Sequence, residues 1–358
     1  MATVDFCTGW ELRATAQLRD GFGESSGIGS QGPGVIVTTN QRSGARCWDS
    51  ADTFGSNWYR RHLPQRATRV IAGAFRPSTI ITETLLGFIY GPLDTVGASG
   101  QLNVCLNADG TFSAWRPGTG WWGNRSGGGA TLLGTSTNFI STALAYHHIE
   151  AVATIDNSAG AIDVYIDLDP TPWLSLSGID TQSQAGAFSD GFGVCGSNGA
   201  NTVRWDDVYT ADSRLSFPDQ RVLGVGMSPG NGTLNGSTPL TGTDRGDMVD
   251  ETTADDDTTY NIFDPTEVDS YNMPALGSTG TIRYFICWQR WKKNDYGGVG
   301  IKGGLRIGGV NYEGSERFIG TAQYENVKVL DGNVSPATGV ALTEAELNTS
   351  ETVADRST

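Results

Sequence analysis

Positive charge is scarce in this chain. Lys and Arg together account for 24 of its 358 residues, against 39 Asp and Glu, and the formal net charge is −15. Because binding to nucleic-acid phosphates depends on clustered Lys and Arg, we do not expect nucleic acid as a partner. An acidic surface is more typical of a protein that stays soluble through its charge, or that binds cations or basic partners.

Long apolar runs are also missing. No stretch approaches the ~20 apolar residues that a membrane-spanning helix needs. The N-terminal segment, MATVDFCTGW, has neither the basic region nor the apolar core of a signal peptide. These absences predict a soluble protein that is made in the cytoplasm and does not insert into a membrane.

Cysteine and histidine are few, and their spacing matches no common metal-binding or catalytic motif. The five cysteines are scattered, without a CxxC pair or a Cys/His cluster of zinc spacing: Cys7, Cys47, Cys105, Cys195 and Cys287. We expect reduced, buried thiols, with a covalent link between subunits as the alternative for the odd one. With three histidines, no G-x-S-x-G or H-E-x-x-H motif and no phosphate loop, catalysis has no recognisable signature.

Glycine, by contrast, is abundant, at 49 residues, and runs of β-branched and aromatic residues fill the first three-fifths of the chain. Examples are GVIVTTN (34–40), RVIAGAFRP (69–77) and QLNVCLNADGTFSAW (101–115), which combine such residues with turn residues at their ends. No segment of this region repeats apolar residues at helical spacing over a helical length. The pattern predicts an all-β fold, a sandwich or jelly roll.

The stretch YHHIEAVATIDNSAGAIDVYID (146–167) holds two of the histidines. Its alternation predicts a β-hairpin, with DNSAG (156–160) as the turn and with His147 and His148 on opposite faces of the sheet. Two histidines placed in this way do not bind one metal ion without a bulge. His148 and Glu150 share a face, either as a catalytic polar pair or, as we favour, as part of an ordinary solvated face.

This hairpin and the later stretch VRWDDVYTADSRLS (203–216) resemble the paired strand signature of the concanavalin A-like (laminin-G-like) jelly-roll family. The resemblance covers residues 1–215 and implies a two-sheet sandwich there. Where the family usually has Asp-Gly after the second strand, this chain has Asp-Leu-Asp-Pro (167–170), which predicts an altered turn.

The remainder of the chain, residues 216–358, is expected to form a β-sandwich-like module. The stretches TIRYFICWQRWKKND (281–295) and GLRIGGVNYEGSERFIG (304–320) alternate like paired strands. LTEAELNTSE (342–351) predicts a short C-terminal helix that Thr343 caps. We therefore predict an all-β chain, in which a concanavalin A-like jelly-roll sandwich is followed by a second, smaller β-rich domain.

The layout as a whole, from DFCTGWELRA (5–14) to DMVDE (247–251) and DDDTTYN (255–261), is similar to virion structural proteins of tailed bacteriophages. This resemblance implies a structural protein of a phage particle, either a head-decoration or a tail-associated subunit, made in the host cytoplasm. It also implies contacts with other virion proteins and assembly as a homo-oligomer.

Carboxylates are the first candidates for chemistry. A laminarinase-type glycosidase of the jelly-roll fold would carry an E-x-D-x-x-E strand, so that one carboxyl group donates a proton and another attacks. Here Glu150 is alone on its strand, and Asp206 and Asp207 are adjacent and expected to point to opposite faces. We therefore predict that the chain is not an enzyme.

A bound cation is the second possibility. Three consecutive carboxylates, Asp255, Asp256 and Asp257, offer oxygens to Ca²⁺, although their spacing is not that of an EF-hand. A solvated acidic loop is the more ordinary interpretation. Asp206 and Asp207 form a second candidate pair, because the jelly-roll resemblance implies calcium at a sheet rim. No other cofactor is expected.

The aromatic stretch WRPGTGWWGNRSGGG (115–129) is the third possibility, because it places Trp115, Trp121 and Trp122 in a glycine-rich context. Their indole rings can stack against sugar rings, or fill a subunit interface, where tryptophan is enriched. We favour the interface. The alternative function is a glycan-binding, lectin-like module of a receptor-binding fibre, with a cell-surface glycan as its partner.

Overall fold

The computed structural model describes most of the chain: residues 3–8, 35–42, 46–50, 58–81, 83–91, 100–118, 129–183, 185–196, 202–215, 222–223, 225–250, 255–277, 281–294, 298–320 and 322–358. The chain divides into two units, Met1–Leu223 and Gly224–Thr358. Both consist mainly of β-strands, so the prediction of an all-β chain is confirmed. None of the helices in the described ranges is long and apolar enough to cross a membrane.

The strands of the first unit follow one another with short connections in the described ranges. They are β1 (Val4–Thr8), β2 (Val35–Val37), β3 (Cys47–Asp49), β4 (Trp58–Arg66), β5 (Thr68–Pro77), β6 (Thr84–Tyr90), β7 (Gly100–Leu106), β8 (Thr111–Arg116), β9 (Thr131–Phe139), β10 (His147–Thr154), β11 (Gly160–Ile166), β12 (Leu174–Ile179), β13 (Ser189–Cys195) and β14 (Val203–Ala211).

These strands form two antiparallel sheets that face each other. The first sheet has the order β12-β11-β10-β5-β14-β3-β2, and β1 also pairs with β14; the second sheet has the order β4-β13-β6-β7-β8-β9. Aromatic rings from the two sheets meet between them: Phe6 lies 5.9 Å from Phe192, and Phe75 lies 6.2 Å from Phe112 in an edge-on contact. The unit is therefore a jelly-roll sandwich, as predicted.

The predicted hairpin is formed by β10 and β11. Ala151 pairs with Val164 and Ala153 with Ile162, so these side chains share the inner face of the first sheet, where all of them are buried. Burial of each larger aliphatic side chain contributes about 1.5–3 kcal/mol. At the turn, the Asp156 carboxylate accepts hydrogen bonds from the backbone N–H groups that follow it, which lowers the pKa of that carboxyl.

The altered turn after β11 places two residues in the left-handed region, as a primed turn does. Asp167 and Leu168 have φ angles of 51° and 67°, both in the left-handed region, and the N–H of Asp169 donates to the carbonyl of Ile166 at 3.0 Å. This turn usually contains Asn or Gly, because a left-handed residue with a side chain costs about 1–2 kcal/mol. The Asp167 carboxylate offsets part of that strain by accepting from the backbone N–H of His148 at 2.9 Å.

A charged side chain crosses the interior of the sandwich. Arg69 of β5 is fully buried, and its guanidinium donates to the Ser189 hydroxyl at 2.8 Å, to the Pro64 carbonyl at 2.5 Å and to the Asp5 carboxylate at 3.2 Å. Burial lowers the pKa of Arg69 to about 10, although the charge of Asp5 opposes this change. The guanidinium of Arg69 in β5 is thus hydrogen-bonded to residues of both β1 and β13.

Among the cysteines, Cys47, Cys105 and Cys195 are buried free thiols, as expected. Burial raises the pKa of Cys47 to about 11, and it raises that of Cys195 well above the ordinary value. Cys7 and Cys287 are only half-buried.

The second unit, Gly224–Thr358, also consists mainly of strands. Its strands are β15 (Asn231–Asn235), β16 (Thr238–Pro239), β17 (Asn261–Ile262), β18 (Val268–Asn272), β19 (Phe285–Trp291), β20 (Val299–Ile307), β21 (Val310–Glu313), β22 (Arg317–Ile319), β23 (Glu325–Gly332) and β24 (Glu351–Arg356). One sheet has the order β15-β18-β24-β20-β21, with β22 also on β20, and β16-β17 and β19-β23 form two-stranded ribbons. The side chain of Gln289 in the β19-β23 ribbon donates to the carbonyl of Val353 in the sheet at 2.5 Å.

The predicted C-terminal helix is present as α1 (Glu344–Asn348). Thr343 caps it as expected, because its hydroxyl oxygen accepts from the N–H of Glu346 at 3.1 Å. The Glu346 carboxylate accepts from the hydroxyl of Ser335, so it fastens the helix to the preceding loop.

Candidate functional site

Trp115 lies on the outer face of the second sheet. Phe112 and Ala114 of β8 are fully buried towards the core, so alternation turns Ser113 and Trp115 outwards. The indole is half-buried and pairs across the sheet with Asn103 of β7 on one side and with Leu132 of β9 on the other. Leu132 is 47% exposed. We call the side chains of Asn103, Ser113, Trp115 and Leu132 the Trp115 face. Asn103 and Ser113 are only 1% exposed, so Trp115 and Leu132 are the members that reach the surface.

A row of hydrogen bonds orients the indole. Its Nε1–H donates to the Ser113 hydroxyl at 2.9 Å, and that hydroxyl donates to the Asn107 side-chain carbonyl, also at 2.9 Å. The Asn107 amide then donates to the hydroxyl of Thr111 at 2.8 Å. Because the polar edge of the ring is engaged within the protein, its apolar face is the part that remains for a ligand.

The other two tryptophans of the predicted cluster, Trp121 and Trp122, lie outside the described residues. That all three indoles form one site therefore stays a prediction. Asn103 was not a candidate in the sequence, because nothing in GQLNVCL distinguishes it from an ordinary strand residue. Only the register of β7 against β8 places it beside Trp115.

The two histidines of the hairpin lie on opposite faces, as predicted. The His147 ring lies 5.8 Å from Phe75, and its nitrogens face two acceptors, the Asp167 carboxylate at 2.7 Å and the Thr142 carbonyl at 3.3 Å. Burial alone would lower the pKa of His147, but the hydrogen bond to Asp167 and the carboxylate charge outweigh it, so the pKa is raised. His148 stacks on Tyr209, with 6.2 Å between ring centres.

The face that His148 shares with Glu150 is not solvated, so that expectation is wrong. Glu150 is only 3% exposed, and its carboxylate accepts from the Tyr209 hydroxyl at 2.7 Å and from the Arg214 guanidinium at 2.6 Å. Arg214 also donates to the Asp169 carbonyl at 3.1 Å and lies 3.6 Å over the Tyr165 ring. Burial, followed by the charge of Glu150, raises the pKa of Tyr209 well above its ordinary value.

Asp206 and Asp207 do not point to opposite faces, which corrects the expectation from their adjacency. The pairing of β14 with β5 is regular up to Asp206 and shifts between Asp206 and Tyr209, and Asp207 has a left-handed φ of 50°, so this bulge turns the Asp207 side chain to the side of Asp206. Asp206 accepts from the backbone N–H of Arg42 at 2.8 Å, and Asp207 accepts from the guanidinium of the same residue at 2.9 Å. The second Asp207 oxygen accepts from the N–H of Val222 at 2.8 Å.

The three consecutive aspartates in the second unit bind different protein groups. Asp255 accepts from Thr259, Asp256 from Arg290 and Asp257 from Lys292. The hydrogen bond and charge of Lys292 hold the pKa of Asp257 below its usual value. In the part of the chain that the structure describes, no three His, Cys, Asp or Glu side chains are arranged to hold a metal ion. Calcium at either acidic candidate stays a prediction.

Comparison with known proteins gives no close relative. No protein-family model matches the chain, and no curated protein matches its sequence. Solved structures do match parts of it: a structure described as "Sialidase" (12% identity, 59% of this chain and 18% of that one, TM-score 0.38) and a mutant of alginate lyase Aly36B in complex with alginate trisaccharide (14%, 59% and 99%, 0.37). A third is the CBM2 module of the evolved Dit of Lactobacillus casei BL23 phage J-1 (10%, 46% and 76%, 0.31).

This chain therefore spans less than a fifth of the sialidase that it matches. The prediction that it is not an enzyme is wrong as stated, because two of these three structures are named as enzymes. The absence of the motifs considered above does not exclude catalysis. At these identities and TM-scores the matches do not identify a ligand or a reaction for this chain.

Proposed function

We propose that the first unit binds a glycan through the Trp115 face. The observation that carries this proposal is the oriented, half-buried indole: Ser113 holds its N–H, and the ring face lies on the outside of a sheet rather than in the core. An apolar ring face beside polar side chains suits a sugar, which presents C–H groups on one side and hydroxyls at its rim. Leu132, which is 47% exposed, extends the apolar surface on one side of the indole.

The test is a glycan array with the full chain and three variants. Trp115→Ala is expected to weaken binding at least tenfold, which corresponds to about 1.4 kcal/mol, and Trp115→Phe to weaken it less, because part of the stacking surface is kept. Trp173→Phe is the matched control, since this half-buried indole adjoins β12 of the other sheet and donates to Asp169. Equal binding by the wild type and Trp115→Ala, or a silent array, contradicts the proposal.

The same glycans should also be incubated with the protein and assayed for new chain ends. Their release would assign cleavage to the site in addition to binding. A loss of self-association in Trp115→Ala, with glycan binding unchanged, would favour the subunit-interface interpretation of Trp115 instead.

We further propose that the protein is carried on the particle of a tailed phage, as a head-decoration or tail-associated subunit in contact with other virion proteins and further copies of itself. The support is the sequence resemblance that extends from residues 5–14 to residues 255–261. Mass spectrometry of purified particles tests it by counting copies per particle. Absence of the protein from washed particles contradicts this second proposal and leaves the first intact.

A further inference from the structure

Two leucines at one end of the first unit have a left-handed backbone. Leu144 has a φ of 64° and Leu168 a φ of 67°. This conformation costs a residue with a bulky side chain about 1–2 kcal/mol, and glycine or asparagine normally occupies it. Backbone strain of this kind persists only where the surrounding structure enforces it, and it is concentrated at functional positions.

Leu144 gains no burial in return for its strain, since it is 60% exposed. Leu168 is half-buried. Two more large apolar residues are exposed in the same part of the unit: Ile81, which is 71% exposed and follows the end of β5, and Phe139, which is 59% exposed and ends β9. A leucine that the fold holds in water at a cost in backbone energy does not serve the packing of its own unit.

Four connections between strands meet at this end of the sandwich. His147 at the start of β10 pairs with Phe75 near the end of β5, and Thr84 at the start of β6 pairs with Leu106 at the end of β7. β11 also ends beside the start of β10. Because antiparallel neighbours reverse their direction at these points, the connections that adjoin them lie at the same end. They are residues 78–83, 107–110, 140–146 and 167–173.

Backbone hydrogen bonds join these connections and fix Leu144 in place. Its N–H donates to the Pro77 carbonyl at 2.9 Å, and its carbonyl accepts from Nε of Arg76 at 2.8 Å. The N–H of Ile140, next to Phe139, donates to the Gly110 carbonyl at 3.0 Å. Leu144 is therefore held through both of its backbone polar groups, and its side chain projects from a fixed position.

The His147 ring links the connection that contains Leu144 to the turn that contains Leu168. One ring nitrogen faces the Thr142 carbonyl at 3.3 Å, and the other faces the Asp167 carboxylate at 2.7 Å. The two strained leucines thus lie in connections that a single side chain bridges.

The four connections are also acidic. They contain no Lys or Arg, and their acidic residues are Glu83, Asp109, Asp167 and Asp169. Hydrogen bonds from Thr111 hold the pKa of Asp109 below its usual value, so this exposed carboxylate is charged at neutral pH. Arg76, the base at the end of β5, is engaged through its Nε with the Leu144 carbonyl. Exposed apolar side chains therefore occur here together with an excess of negative charge.

We propose that this end of the first unit docks a protein partner whose contact segment carries apolar side chains flanked by Lys or Arg. Exposed apolar residues with a polar rim are typical of protein–protein contact sites. The acidic rim selects a basic partner and speeds its association. A second copy of this chain, with its net charge of −15, would instead bring like charges together. The inference goes beyond glycan binding and does not depend on the Trp115 face.

The experiment pans three libraries of short displayed peptides against the immobilised full chain. The first library carries Leu, Ile or Phe flanked by Lys or Arg. The second carries the same apolar residues flanked by Asp or Glu, and the third keeps Lys and Arg but has Ser in place of the apolar residues. Enrichment is expected from the first library only, because binding requires both the apolar contact and the charge.

The best peptide is then titrated by fluorescence anisotropy into variants of the full chain. Leu144→Asn is expected to weaken binding at least tenfold, and Ile81→Asn to weaken it as well. Val340→Asn is the matched control, because Val340 is 63% exposed but belongs to the second unit, and it should bind like the wild type. Asp109→Asn removes one charge of the rim and should weaken binding mainly by slowing association.

Stability separates this role from a structural one. Asparagine tolerates a left-handed φ better than leucine does, so Leu144→Asn is expected to raise the melting temperature of the first unit by about 2–4 °C while binding falls. A leucine that served the packing of its own unit would give the opposite change in melting temperature.

Each of the other outcomes overturns the inference. Equal enrichment from the first two libraries, or none from the first, contradicts a basic, apolar partner. Equal peptide binding by Leu144→Asn and the wild type, or a lower melting temperature of this variant, contradicts the role of Leu144. If sedimentation shows that the wild type self-associates and Leu144→Asn does not, the occupant is a second copy. The result of the glycan array with Trp115→Ala bears on none of these outcomes.

Discussion

The contact between His147 and Asp167 should make the stability of the first unit depend on pH. The two side chains meet at 2.7 Å, with the His147 side chain 11% exposed and that of Asp167 47% exposed. A charge-assisted hydrogen bond of this kind contributes about 1.5–3 kcal/mol when it is shielded from water. The exposure of Asp167 reduces this, as for surface ion pairs, and we expect a coupling free energy of about 1 kcal/mol.

The sign follows from the two pKa values. The pKa of His147 is raised in the fold, so the stabilisation is complete below its unfolded value of 6.5 and is lost as pH rises through the folded value. The pKa of Asp167 is lowered, because the bonds from His147 and from the His148 N–H outweigh its burial; the stabilisation is complete above 3.8 and is lost as pH falls through the folded value. The pair therefore contributes most between pH 3.8 and 6.5.

The measurement is a double-mutant cycle with His147→Gln, Asp167→Asn and the double variant, by urea unfolding at pH 5.5 and 8.5. Hydrogen-exchange mass spectrometry of peptides from residues 146–167 assigns the transition to the first unit. We expect a coupling of about 1 kcal/mol at the lower pH, shrinking at the higher pH because the imidazole loses its charge. A coupling that is equal at both pH values, or larger at 8.5, would refute the reasoning.

Three further predictions concern the stability of the sandwich and are measured by urea unfolding. Asp5→Asn should cost about 3–5 kcal/mol, because it removes the carboxylate that the buried Arg69 guanidinium shares with Arg66, and adding Arg69→Met should recover part of this loss rather than increase it. Leu168→Gly should stabilise the turn by about 1 kcal/mol by relieving its left-handed φ; no gain would mean that packing of the leucine matters more. Ile149→Asp should prevent folding of the first unit, since it places a charge in the core, and a soluble, cooperatively unfolding variant would contradict the hairpin register.

Local patterns in the sequence predicted those features that depend on neighbouring residues. The alternation of residues 146–167 placed His147 and His148 on opposite faces, because a strand has a period of two residues and no long-range information is needed. Thr343 was identified as a helix cap for the same reason, since the donor that it accepts from is three residues away.

The errors arose where distant segments decide the outcome. Glu150 was assigned to a solvated face, but its partner Arg214 is 64 residues away in the chain and covers it only after folding. The carboxylates of Asp206 and Asp207 were expected on opposite faces, which holds for a regular strand and fails at a bulge. The unpaired side-chain oxygen of Asn103 cannot be predicted from the sequence, because its lack of a hydrogen-bond donor among the described residues depends on which distant groups the fold brings near it.

The hydrogen bond from the N–H of Val222 to Asp207 determines where the first unit can be cut. A recombinant fragment that stops at residue 215, the boundary expected from the sequence, would lack Val222 and leave a fully buried carboxylate oxygen without this donor. A fragment that continues through Leu223 keeps the bond. Residues beyond the last strand of a sandwich would ordinarily be discarded as a tail. Here the N–H of one such residue, Val222, donates a hydrogen bond to the buried Asp207 carboxylate in β14.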